Sequence, residues 1–150
     1  MVFSKYDEFA KLMWGVPRAL DVGTSAKARA LFGAAETFAS LQRGERVTEF
    51  TPDTVCDGLR GTLGAPNFAL LQRHGVRVLT ATDTQVVAAM RLLWQRGKLL
   101  VEPSSAVALA IVLAHPAEFA GKRVGIILSG GNVDLDALPA LFAPCAEEVP

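Results

Sequence analysis

Cysteine, histidine and charge of either sign are all scarce in this chain, and each scarcity closes a class of function. The two cysteines, Cys56 and Cys145, stand far apart in 150 residues. That is neither the close spacing of a thiolate metal site nor the framework of a disulfide-stapled secreted domain. The two histidines are His74, beside Gly75, and His115, beside Pro116. Each reads as a cap or a solvated group at the end of an element, and neither has a triad partner nearby in sequence. Charged residues make up 20%, fifteen basic against fifteen acidic, and they are scattered. Such a balance leaves no electrostatic footprint for nucleic acid or an anionic membrane surface. No stretch reads as a secretory signal or a membrane-spanning helix, so the expectation is a soluble cytoplasmic protein. No internal repeat or low-complexity tract is present. A small neutral or zwitterionic ligand remains open.

What the chain does have is apolar residues, 51% of the total. At this length it is one domain or a large part of one, able to bury roughly 70% of its unfolded surface. Residues 1–28 stand apart as an amino-terminal helix and loop. There "SKYDEFAKLMW" sets Tyr6, Phe9, Ala10, Met13 and Trp14 at helical spacing before Gly15 and Pro17 stop the run. Residues 29–150 read as an α/β domain. "RALFGA", residues 29–34, reads as a buried strand, followed by a short helix from Glu36 to Arg43 that Gly44 closes. Residues 48–67 read as loop. "VRVLTA", residues 76–81, is β-branched and apolar, and Thr82 to Gln85 then forms a capping-box pattern. Behind it Val86, Val87, Met90, Leu93 and Trp94 share one helix face, which places Met90 and Trp94 in the core, and Gly97 is the natural stop. A proline then opens the nearly wholly apolar run "PSSAVALAIVLA", which ends at His115 and Pro116 and must be buried on most sides. "RVGIILS" is apolar on both faces, as at the centre of a parallel sheet. The order predicts a three-layer α/β architecture, a mostly parallel sheet with flanking helices. Strands are expected near 30–34, 76–81 and 123–128, and helices over 83–96 and 103–114.

In open α/β sheets ligands gather beyond the carboxyl ends of the strands. Ser129, Gly130, Gly131 and Asn132 fall there. Glycine permits close backbone approach, and the serine hydroxyl and asparagine amide supply donors and acceptors. The same tetrapeptide also suits an ordinary tight turn leading into a helix.

Four segments in order carry a family resemblance: "TVCDGLRGTLG" (54–64), "AAMRLLWQRGKLLVEPSSAVALA" (88–110), "GKRV" (121–124) and "IILSGGNVDL" (126–135). Together they resemble the carboxy-terminal part of the fold-type II pyridoxal-phosphate enzymes, above all the serine racemase and serine/threonine dehydratase group, over about residues 29–138. The resemblance implies pyridoxal phosphate as cofactor, with the Ser129 hydroxyl on its pyridine nitrogen. A hydroxyl cannot stabilise a protonated ring by charge, which implies muted electron withdrawal and suits elimination of a β-hydroxyl. Gly130, Gly131 and Asn132 would shape the turn around the ring edge. Glu102 matches the glutamate of the family's Glu-Pro-Ser segment, and Asp57 and Gly58 match a loop on the cofactor's face. From residue chemistry alone, Glu102 equally suits a carboxylate complementing a helix N-terminus, and Asp57 a turn residue. Cys56, beside Asp57, is expected to be inert, because a neighbouring carboxylate disfavours the thiolate.

The departures from the family pattern are specific. The resemblance implies a Schiff-base lysine in a Ser-Phe-Lys segment of an amino-terminal region that has no counterpart here. None of Lys5, Lys11, Lys27, Lys98 and Lys122 stands in that setting, so no residue is assigned a catalytic role. The glycine run that would cradle the cofactor phosphate should precede residues 29–34, where "MWGVPRALDVGTS" stands instead. Glu36 matches a glutamate of the racemase group's divalent-cation site, but the position six residues on is Gln42, and no aspartate lies between Glu36 and Asp53. No metal site of that type is expected, and Glu36 reads as a charge in a helix's first turn. The expected function is therefore a relative of the dehydratases and racemases that is not catalytically competent alone. It would act as a binding or oligomeric module, most simply a two-fold homodimer, for a small amino-acid-like ligand. The alternative is a hydroxy-amino-acid lyase half-domain, active only when a lysine-bearing partner chain complements it. In either case apolar helix and sheet surface needs covering, a task that residues 3–14 suit.

Overall fold

The computed structural model describes residues 35–143. The helix expected over residues 3–14 and the strand expected at 29–34 lie outside them. The described residues belong to two compact units, one made of residues 35–50 and 62–79, the other of 51–61 and 80–143.

In the first unit, helix α1 (Ala35–Arg43) carries Glu36 in its first turn and Arg43 in its last, the polarity a helix macrodipole favours. Gly44 follows at φ +74°, as expected for the stop. Helix α2 (Ala65–Arg73) packs against α1. The sequence pattern predicts a loop as far as residue 67, so the first turn of this helix is a correction. Gly64 and Pro66 looked like loop punctuation, but they are the N-cap and an early helical position, where proline's missing N–H and fixed φ do no harm. Its end is a Schellman motif. Gly75 takes φ +56°, its amide donates to the Gln72 carbonyl, and the Val76 amide donates to the Leu71 carbonyl at 3.0 Å. His74 is the C-cap residue, as its position beside Gly75 suggested.

The second unit opens with helix α3 (Asp83–Leu92). Its capping box is present in both directions: the Gln85 amide donates to Thr82 Oγ1 at 3.2 Å, and the Thr82 amide donates to Gln85 Oε1 at 2.9 Å. Val86, Val87, Ala89 and Met90 are buried on it. The helix was expected to run on to residue 96. It widens instead into a π-turn over Leu93–Gly97, closed by Lys98 in the left-handed region. The wider turn rotates the residues after Leu92 off the apolar stripe, and this corrects the placement of Trp94. Its ring is half-buried, its Nε1–H donates to the Val101 carbonyl at 2.9 Å, and it meets Phe142 edge-on.

Helix α4 (Pro103–Ala114) follows, begun by proline and capped at its end by His115, whose Nε2 lies 3.3 Å from the Thr80 carbonyl. It packs on α3, burying Ala106, Val107, Ala110 and Ile111. Leu113 stays 54% exposed, so this apolar helix is not covered on every side. Two short helices, α5 (Pro116–Phe119) and α6 (Leu138–Phe142), complete the unit.

The expected sheet is not found among the described residues, where no strand is formed. Residues 76–81 and 123–128 are non-helical but make no ladder. Rather than lying at a sheet's buried centre, Val124, Ile126 and Ile127 are 41%, 36% and 46% exposed. The physical reason is that strand pairing is non-local. An apolar run shows that both its faces need covering but does not name the segment that covers them.

Candidate functional site

The first turn of α4 is built from "EPSS", residues 102–105, and each of its three polar side chains grips another segment of the second unit. Glu102 occupies the N-cap position yet makes no side-chain cap bond. Its Oε2 instead accepts from the Asn132 amide at 3.0 Å, and its own amide donates to the Gly130 carbonyl at 3.1 Å. Ser104 Oγ accepts from the Gly58 amide at 2.9 Å. Ser105, 2% exposed, receives the Gly130 amide at 2.6 Å, donates to the Gly130 carbonyl at 2.8 Å and lies 3.3 Å from Ser129 Oγ.

The glycines are required by this packing. A Cβ on Gly130 would stand 2.8 Å from Glu102 Oε1, and one on Gly131 would stand 2.8 Å from the Leu100 carbonyl oxygen. A Cβ on Gly58 would meet Ser104 Oγ at 3.0 Å. These glycines therefore permit close approach to the chain's own α4 and to the segment leading into it.

Of the residues singled out in the sequence, the structure gathers Glu102, Ser129, Gly130, Gly131 and Asn132 at one turn. Gly58 reaches the same helix end through Ser104. Asp57 is not drawn in: its side chain is 87% exposed and pairs with Arg60 at 3.2 Å. The loop before it is anchored by Asp83, whose Oδ1 accepts from Thr54 Oγ1 at 2.7 Å and whose Oδ2 accepts from the Val55 amide at 3.0 Å. Cys56 is buried there, and burial, more than the charges of Asp83 and Asp57, pushes its thiol from 9.0 up to about 11, against the lowering hydrogen bond with Thr54. It stays a thiol at neutral pH. Sequence reasoning assigned nothing to Ser104 and Ser105. The signal that could have found them is two adjacent hydroxyls opening an otherwise apolar helix, where serine has little reason to stand without a partner.

Lys98 and Lys122, the lysines among the described residues, donate to the carbonyls of Gln95 and Glu118 in their own turns. In the first unit Glu36 is more enclosed than a solvated first-turn charge would be. It is 2% exposed, and its Oε1 accepts from Thr37 Oγ1 at 2.7 Å and from the Leu63 amide at 3.0 Å. No three histidine, cysteine, aspartate or glutamate side chains cluster as metal ligands among the described residues. Nor is any helix there long and apolar enough to cross a membrane.

Ser129 is exposed, and its hydroxyl has one proton and two lone pairs, of which a contact to Ser105 occupies one position. The turn therefore offers outward hydrogen bonding from a backbone held at three points.

The family described as "Pyridoxal-phosphate dependent enzyme" matches residues 11–130. The β-hydroxyaspartate dehydratase of Paracoccus denitrificans is 43% identical over 106 residues, which cover 71% of this chain and 34% of that protein. The serine racemase of Dictyostelium discoideum is 40% identical over 116 residues, covering 73% of this chain and 35% of that one. The structure of maize serine racemase superimposes with a TM-score of 0.66 at 32% identity, covering 81% of this chain and 40% of the other. The chain thus spans about a third of the length of the relatives it matches in sequence. The fold-type II resemblance seen in the sequence is borne out, and with it the α/β class of these neighbours.

Proposed function

Since the chain belongs to the pyridoxal-phosphate dependent enzyme family, we propose that its turn at Ser129 to Asn132 is the ring-edge wall of a pyridoxal-phosphate site that is not catalytically competent in this chain alone. The observation that carries this reading is the clamped turn itself. Glu102 and Ser105 hold the backbone of residues 130–132, while the Ser129 hydroxyl is left exposed. The fit is partial. A hydroxyl suits a ring nitrogen, but the described lysines are engaged elsewhere.

Pyridoxal phosphate, when bound, supplies the electron-withdrawing ring that acidifies the α-carbon of an amino acid. Ser129 would meet the ring nitrogen, Glu102 and Ser105 would keep the turn from moving, and Gly58, tied to Ser104, would border the ring. Neutral hydrogen bonds of this kind contribute only about 0.5–1.5 kcal/mol each. The ring edge alone therefore holds the cofactor weakly. Calorimetric titration of the chain with pyridoxal phosphate should show weak binding that Ser129→Ala abolishes, with no pyruvate or 2-oxobutyrate released from serine or threonine. Tight binding together with keto-acid release would refute the reading.

We further propose that the chain assembles, most simply as a two-fold dimer. The exposure of Val124, Ile126 and Ile127, with Leu99 at 47% and Leu100 at 60%, supports this, because apolar surface of this kind is normally covered. Light scattering should return twice the chain mass. A monomer across the micromolar range would overturn the proposal.

A further inference from the structure

Residues 123–129 combine exposed apolar side chains with an unpaired backbone. The run is pinned at both ends: the Lys122 amide donates to the Phe119 carbonyl at 3.0 Å, and the Gly130 amide donates to Ser105 Oγ at 2.6 Å. Between those anchors no backbone N–H or C=O is hydrogen-bonded to a described residue. Val124 and Ile126, at even positions, are 41% and 36% exposed, and Ile127, at an odd one, is 46% exposed. A Cβ on Gly125 would meet nothing within 4 Å. Side chains of both parities are therefore open, on a run rich in the β-branched residues that suit strands. Such a row of free donors and acceptors is a template for another strand.

We infer that this run pairs with the same run of a second copy, antiparallel and centred on Ile126. The inference rests on the dimer reading above and names the surface through which the copies meet. Charge decides the direction. Lys122 and Arg123 stand together at one end, and no acidic residue follows before Asp134. Parallel pairing would set each cation on its own copy, which destabilises, whereas antiparallel pairing sends the two basic ends apart. Symmetry decides the register. A two-fold axis relating antiparallel strands is perpendicular to the ribbon and leaves every side chain on its own face, so one residue must face its own copy. The midpoint of the free run is Ile126. Ile126 then faces the partner's Ile126, Val124 faces the partner's Leu128, and Arg123 faces the partner's Ser129 instead of a second cation. One face of the ribbon is thus wholly apolar. The ladder supplies about six hydrogen bonds to groups otherwise unpaired. With fifteen basic and fifteen acidic residues, no net charge opposes self-association. The contact is isologous, using the same edge on both copies, and so ends at two.

The test uses the full chain carrying Cys56→Ala and Cys145→Ala, with single cysteines then introduced. Ile126→Cys should form a disulfide dimer under mild oxidation, because opposed Cα atoms lie about 5 Å apart, within disulfide reach. Val124→Cys alone should not, since its copy lies about 14 Å away along the ribbon. A mixture of Val124→Cys and Leu128→Cys chains should cross-link to each other. In the otherwise unchanged chain, Ile126→Lys, at an exposed position, should keep the wild-type urea midpoint while weakening the dimer about tenfold or more in light scattering. Cross-linking of Val124→Cys as readily as Ile126→Cys would mean parallel pairing and overturn the inference. A dimer mass without any Ile126→Cys disulfide places the contact elsewhere, which overturns the inference and leaves the dimer reading standing. A monomer mass for the wild-type chain across the micromolar range brings both down.

Discussion

Replacing Gly131 with alanine drives a methyl group into the backbone, and the consequence can be worked from the geometry. The new Cβ would stand 2.8 Å from the Leu100 carbonyl oxygen and 3.1 Å from Leu100 Cδ2. Favourable contact begins near 3.4 Å, so the oxygen would have to retreat by roughly 0.6 Å. It is poorly placed to do so. The next residue, Val101, is 3% exposed and its carbonyl is held by Trp94 Nε1 at 2.9 Å, while the Glu102 amide is bonded back to Gly130 at 3.1 Å. The expected loss is that of an overpacked site, about 1–3 kcal/mol.

Gly130→Ala differs in kind. Its Cβ meets Glu102 Oε1 at 2.8 Å, and a carboxylate can swing away if it releases the Asn132 amide, at about 1–2 kcal/mol. That loss should largely vanish in a Glu102→Ala background, giving a measurable coupling between the two positions. Gly125→Ala is the control. A Cβ there meets nothing within 4 Å, and φ is not positive, so a gain of about 0.4–1 kcal/mol is expected from the stiffer unfolded chain. Urea unfolding of the set should rank Gly125→Ala above wild type, with Gly130→Ala and Gly131→Ala below. If Gly131→Ala matches Gly125→Ala, or if Gly130→Ala is equally harmful with and without the Glu102 carboxylate, the close packing of the glycine turn on Leu100 and Glu102 is refuted.

Three further outcomes are expected. Cys56 has its thiol raised from 9.0 to about 11 chiefly by burial, so the folded state favours the protonated form. The contribution is fully present below pH 9 and is lost as pH rises towards 11, amounting to about 2–3 kcal/mol. Denaturation midpoints at pH 8 and above pH 10 should diverge in wild type and converge in Cys56→Ala. Thr82→Ala removes the acceptor for the Gln85 amide and should lower stability by about 0.5–2 kcal/mol, with Thr82→Ser recovering most of it. Gly75→Ala forces a side chain to φ +56° with open space around it. A loss of about 1 kcal/mol, from strain alone, should appear in thermal unfolding.

The sequence by itself determined what depends on neighbours along the chain. The capping box at Thr82 and Gln85, the stop at Gly44, the proline opening α4 and the turn at Gly75 are all present, because caps and turns are satisfied by atoms a few residues away. The resemblance carried by "LLVEPSSAVALA" and "LSGGNVDL" identified the family because its motifs are contiguous. Other features were decided only in three dimensions. The apolar pattern of residues 123–128 called for a covered strand without saying what covers it, and Val124, Ile126 and Ile127 are exposed. The stripe through Trp94 assumed an unbroken helical period, which the π-turn at Leu93–Gly97 changes. Glu102 could be read as helix cap or site residue. Only the fold, by setting Asn132 and Gly130 against it, turned its carboxylate to the glycine turn. Ser104 and Ser105 read as two small polar residues at a helix start. Their partners at Gly58 and Gly130 lie 46 and 25 residues away, and tertiary packing alone brings hydrogen-bonding groups so far apart in sequence into contact.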